Sequence, residues 1–239
     1  MEKEIRPEPK IAANIRSPSA DISILEYYKP YYDAAFIILH PFIKIVNESR
    51  LYSDGNNKMP TKNNYMKYTE GVSWQEFLEI SGLKSINQLD IALRSLIGGL
   101  VEEHRNEEDV NIVKRTMEEY NLIEPGEGCF SRLLLDEMMT ALLELDHKWL
   151  YVGDEFGFEK RIKFIEDIIE NKIPISSGHE NWYTTMNEIL YTTHWDSHFT
   201  LLCADKQTIE TILKKHKFEG FYCDLNTKVY WSLSKNRSK

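Results

Sequence analysis

The run His198-Phe-Thr-Leu-Leu-Cys-Ala204 constrains this chain more than any other stretch. It is apolar and β-forming, and reads as a strand. Strand side chains alternate between faces. Trp195, Ser197, Phe199, Leu201 and Cys203 therefore share one face, and His194, Asp196, His198, Thr200 and Leu202 the other. The alternation predicts that Phe199, Leu201 and Cys203 are buried. It also predicts that the polar side chains of 194–198 stay partly exposed at one end of a sheet. Asp205 is a helix N-cap, and Ile209, Ile212, Leu213 and His216 then recur on one helical face. Phe221–Asp224 and Lys228–Leu233 read as two further strands around a hairpin-sized loop. The C-terminal unit is predicted as β-α-β-β, with its helix over one sheet face.

Upstream the pattern is mostly helical. Ser73-Trp-Gln-Glu76 and Ser85-Ile-Asn-Gln88 are capping boxes, each opening a helix. Ser81-Gly82 and Gly98-Gly99 stop those helices. Ile86, Leu89, Leu93 and Leu96 line one face of the second, which leaves Asn87, Asp90 and Arg94 outward. Further helices are predicted over 102–120, 131–147 and 158–171. Ala34–His40 fits either a strand or a buried helix, because short apolar runs carry no decisive period. Asn47–Met66 is a polar loop whose turn signal, Asp54-Gly55-Asn56-Asn57, marks the segment expected to be most mobile. Helices first and strands last predict an α+β chain. Its small mixed sheet is expected from 148–152, 198–204, 220–224 and 228–233. Residues 1–21, with three prolines, read as an extended or disordered arm. Residues 22–239 then form a single domain with a sub-boundary near 124–128.

Composition limits the partners. The 239 residues carry a formal net charge of −9, which disfavours nucleic acid and anionic membranes and suits a basic protein partner or self-association. No run approaches the length of a membrane span. Cys129, Cys203 and Cys223 form no C-x-x-C pair and no apolar leader precedes them, so reduced thiols in the cytoplasm are expected.

Chemistry concentrates at His194, Asp196 and His198, the candidate catalytic residues. On a straight strand, residues four apart lie about 13 Å apart, so the two histidines can share a metal only where the chain turns between them. Asp196 beside one histidine is the better pair, its carboxylate orienting the imidazole. His179, Glu180 and Cys129 are the loop residues able to complete a hydrolase site. Cys129, ahead of the 131–147 helix, could have a lowered pKa. Nucleotide, P-loop, serine-hydrolase and zinc-protease fingerprints are absent from the sequence, and neither a cofactor nor a stoichiometric metal is expected. A binding or interaction protein without catalysis is the favoured class.

Two resemblances accompany this reading. Phe77-Leu-Glu-Ile-Ser-Gly-Leu-Lys-Ser85 followed by Ala92-Leu-Arg-Ser-Leu96 resembles the helix–turn–helix of winged-helix DNA-binding proteins, which implies a DNA-binding regulator acting through 73–97. Its spacing is about one residue long, and the acidic run 102–109 follows where phosphate contacts are needed. Trp195-Asp-Ser-His-Phe-Thr-Leu-Leu202 and Phe221-Tyr-Cys-Asp224 resemble an uncharacterised family of bacterial proteins, which implies a full-length family member but no activity.

Overall fold

The computed structural model describes residue 9 and residues 13–52, 60–170 and 178–233. In chain order the elements are α1 (Ile24–Tyr28), β1 (Ala34–Leu39), β2 (Phe42–Ile45), α2 (Glu48–Leu51), α3 (Lys62–Tyr68), β3 (Thr69–Val72), α4 (Trp74–Ser81) and α5 (Ile86–Leu96). There follow α6 (Glu107–Tyr120), β4 (Leu122–Ile123), α7 (Leu135–Glu144), β5 (Trp149–Asp154), β6 (Lys160–Phe164), α8 (Ile165–Ile169), β7 (Glu180–Thr184), β8 (Leu190–Thr192), β9 (Phe199–Ala204), α9 (Lys206–Lys215) and β10 (Gly220–Tyr222). The class is α+β.

The main sheet has seven strands in the order β10-β1-β9-β8-β7-β5-β6, and all of its pairings are antiparallel. It is larger than the small mixed sheet read from the sequence. The ambiguous run 34–39 is the reason. It is a strand, and it lies between β9 and β10, so those two C-terminal segments share a sheet without touching. Residues 228–233 do not add a strand; Trp231–Leu233 form a 3-10 turn instead. Trp231 is buried against Phe221, so its ring fills the core beneath the sheet rather than extending it. The helix predicted over 158–171 is divided. Lys160–Phe164 pairs with β5 in a hairpin turned at Gly157 (φ +72°), and only Ile165–Ile169 is helical. Here strand pairing overrode a helical spacing of isoleucines.

Helices cover both faces. One core joins Ile37, Leu39, Phe199, Leu201 and Cys203 to Trp74, Phe77, Leu89, Leu93 and Trp231. The other joins Phe36, Ile38, Tyr191 and Leu202 to Met138, Met139, Leu142, Ile209 and Ile212. Phe199, Leu201 and Cys203 do share a buried face, as strand alternation requires. Burial on both sides explains why β1 and β9 read as continuous apolar runs.

The capping box at Ser73 is complete, and Gly82 closes α4 in the left-handed conformation (φ 77°). The second box is half formed: Ser85 accepts from the Gln88 amide, while the Gln88 side chain accepts from the Lys84 amide. Residues 13–20 form no regular element but are fastened down. Ile15 is buried, the Ser17 amide donates to the Glu155 carbonyl (2.9 Å), and the Asn14 side chain donates to the Gly157 carbonyl (2.7 Å). The 54–57 turn signal lies outside the described residues.

Candidate functional site

The segment between β8 and β9 turns rather than running straight. The Ser197 amide and hydroxyl both donate to the His194 carbonyl, at 2.9 and 2.5 Å. The turn sends the three candidate residues to different surroundings.

His194 is 9 % exposed. Its Nδ1 accepts from the Asp196 amide (3.4 Å), so its neutral form carries the proton on Nε2. The Asp196 carboxylate does not orient this imidazole, as the sequence reading supposed; it accepts the Tyr230 hydroxyl at 2.7 Å. Burial, offset by Asp196 and reinforced by Arg94 and His179, lowers the His194 pKa to about 4. Burial and the Asp196 contact push Tyr230 up to about 12. His198, expected near the surface, is fully buried, and burial with the Arg94 and His40 charges lowers its pKa to about 3. Its carbonyl accepts from the His40 amide (3.0 Å), so the turn folds in against the end of β1 instead of projecting past the sheet.

Arg94 holds the turn from behind. It is fully buried, donates to Asp90 (2.8 Å), to the Asp196 carbonyl (2.6 Å) and to the Val229 carbonyl (2.9 Å), and lies 4.7 Å over the Tyr230 ring. Asp90 and Arg94 thus point inward, against the outward placement drawn from the periodicity of α5. The whole of α5 is buried or half-buried, enclosed by α4, α6 and the 231–233 turn. A recognition helix has to present side chains to a groove, and α5 has no exposed residue to present.

Two of the predicted loops do converge here. The Gly128 amide donates to the Ser197 carbonyl (3.0 Å), and the Gly128 carbonyl accepts from Thr193 (3.1 Å) and from His179 Nδ1 (2.7 Å). Glu180 goes elsewhere, to Arg161 (3.0 Å) and Trp182 (2.9 Å). Burial raises the Cys129 thiol pKa, partly offset by Arg132, opposite to the lowering a nucleophile needs; α7 begins six residues later, at Leu135. Among the described residues, no group of three or more His, Cys, Asp or Glu side chains is arranged to hold a metal ion.

The 194–196 turn opens onto a groove of about 500 Å³. Tyr27, Phe156, Phe158, Trp195 and Tyr230 supply aromatic walls, and Asp196 and Glu155 supply carboxylates. Phe158 is 77 %, Phe156 58 % and Trp195 57 % exposed, unusual for rings of this size. Among the described residues, Arg16 is the one lysine or arginine in the lining. The sequence signals at Phe156, Phe158, Trp195 and Tyr230 were aromatic residues without periodicity, which pointed to no site.

The chain belongs to the family described as "Protein of unknown function (DUF2711)", whose pattern matches residues 20–233. It is also similar to the "Uncharacterized protein YwbB" of Bacillus subtilis (strain 168), at 20% identity over 224 residues, covering 87% of this chain and 94% of that protein. No solved structure matches it.

Proposed function

We propose that this protein is a binding protein without catalysis, and that its groove takes a lysine or arginine side chain from a basic partner protein. The carrying observation is the set of five aromatic rings around Asp196 and Glu155. A cation over an aromatic face gains roughly 0.5–2 kcal/mol, more as it is desolvated, and a carboxylate in the lining anchors it. Arg16 offsets one of the two carboxylates. The net charge of −9 steers a basic partner towards the surface. Catalysis has weaker support. A histidine with a pKa of about 4 is a poor base at neutral pH, and the Ser197 hydroxyl in the same turn is committed to a backbone carbonyl. A cytoplasmic site of action fits the free thiols of Cys129, Cys203 and Cys223. Among the described residues, no helix is long and apolar enough to cross a membrane.

The test is a fluorescence titration at low salt with lysine-rich, arginine-rich and glutamate-rich peptides. Basic peptides are expected to bind and the acidic one not. Trp195→Ala, a change at an exposed ring, is expected to weaken binding at least about tenfold. Absence of binding by either basic peptide, or full affinity in Trp195→Ala, overturns the reading. Self-association is the competing outcome, read from sedimentation over a concentration series.

A further inference from the structure

A basic side chain leaves two donors of the groove unused. The first is Arg16. Its stem lies over the β5–β6 turn, with Cγ 3.0 Å from where a Cβ on Gly157 would stand, and its charge acts on the Tyr27 hydroxyl. Its backbone is fixed, since the carbonyl accepts from the Tyr28 hydroxyl (2.8 Å) and the next amide, Ser17, donates to Glu155. Among the described residues, the guanidinium itself makes no hydrogen bond or ion pair. The second donor is His194. Its Nδ1 is taken by the Asp196 amide, so Nε2 carries the proton. That N–H has no acceptor among the described residues and, unlike the nitrogens of His198, is not sealed from solvent. Water serves both donors while the groove is open. A ligand that displaces this water without bringing acceptors loses affinity. On the acidic side, Tyr230 occupies one oxygen of Asp196 (2.7 Å), and the Glu155 carboxylate has no partner among the described residues.

We propose that the residue taken by the groove is the C-terminal lysine or arginine of the partner protein. Its α-carboxylate lies on Arg16, the carbonyl of its last peptide bond on His194 Nε2–H, and its side-chain cation at Asp196 and Glu155. This rests on the reading of the groove as a cation site. A guanidinium holds a carboxylate through charge-assisted and often paired N–H···O bonds, which an internal lysine gives it no chance to form. A free amino acid carries the carboxylate but brings no peptide carbonyl to His194. A volume of about 500 Å³ is that of a small-ligand site, with room for one long side chain and its flanking backbone rather than a long peptide.

The test is a tryptophan-fluorescence titration at low salt with four probes. They are acetyl-Gly-Ser-Gly-Lys as the free acid, the same peptide as its amide, the free acid acetyl-Gly-Lys-Gly-Ser, and free lysine. The lysine-ended acid is expected to bind at least about tenfold tighter than its amide. Charge steering runs the other way, because the amide is the more cationic of the two. The peptide with internal lysine is expected to bind no better than the amide, and free lysine more weakly than the acid. Arg16→Gln keeps a stem over Gly157 and is expected to bring the acid-to-amide ratio to about one. His194→Phe keeps a ring, removes the donor, and is expected to weaken acid and amide alike by about threefold or more. The ratio is read within each variant, so a loss of folded protein does not move it. Equal affinity for acid and amide in the unchanged protein overturns the proposal and leaves the cation site standing. A ratio that survives Arg16→Gln, full affinity in His194→Phe, internal lysine binding like the acid, or free lysine binding as tightly as the peptide overturns it too. Failure of every probe to bind overturns the cation site with it.

Discussion

Arg94 is a full charge at zero exposure, tied to a carboxylate and two carbonyls from three separate parts of the chain. Removing one partner of a buried pair costs about 3–5 kcal/mol, because the other is left charged and unpaired. Arg94→Ala is therefore expected to lose that much stability in urea unfolding, and Asp90→Leu with Arg94→Met to recover a large part of it. A double variant no better than the single one would show that the carbonyl contacts, not the ion pair, matter. The i,i+4 spacing of Asp90 and Arg94 was legible in the sequence. Their direction was not, because α5 has apolar neighbours on more than the face its leucines mark. Three histidines add a pH dependence. Burial lowers His40 and His194 to about 4 and His198 to about 3, against about 6.5 when unfolded. Between those values the unfolded chain holds more protons than the folded one, so stability is full above about pH 6.5 and is lost as pH falls towards about 4. The urea midpoint is expected to drop over that window. His198→Gln should flatten the drop, and an unchanged slope would contradict the assignment.

Elements meet most tightly where β10 joins β1. A Cβ at Gly220 would sit 1.8 Å from the Ile37 carbonyl oxygen, which no side-chain movement can relieve. The adjoining Glu219 caps α4, its carboxylate accepting the Trp74 and Gln75 amides at 2.7 and 2.8 Å. One short edge strand thus holds both the sheet and a helix N-terminus. Gly220→Ala is expected to cost about 3 kcal/mol or more. Faster hydrogen exchange is expected at the Leu39 amide, which donates to the Glu219 carbonyl. Native exchange at Leu39 would mean that β10 can shift without penalty. β9 could be read from sequence because its apolar run is bounded by a clear helix cap. β1 could not, since six buried residues in a row carry neither helical nor strand period. The aromatic groove was illegible for a different reason: its walls come from residues 27, 156–158, 195 and 230, brought together only by the sheet.

At the scale of the whole molecule, the two cores are built on opposite faces of the same central strands. Neither half of the chain contains a complete core. A fragment ending before Phe199 lacks β9, α9 and β10, and is expected to show no cooperative unfolding and to aggregate. A sharp thermal transition in that fragment would mean that the helical part is an independent domain, consistent with a boundary near 124–128. The α+β class was readable from the order of elements. The extent of the sheet was not, because β1, second from its edge, belongs to the N-terminal part of the sequence and the two strands it pairs with to the last fifth.

That placement has a consequence for how the protein is made. Ala34–Leu39 leaves the ribosome early, yet the residues that pair with it are 199–204 and 220–222. At about 5–20 residues per second, this apolar strand waits roughly 10–30 s for its neighbours. During translation both of its edges are unpaired, and both of its faces are apolar. The nascent chain therefore carries an aggregation-prone segment through most of its synthesis, and a chaperone that shields short apolar strands has its natural binding site there.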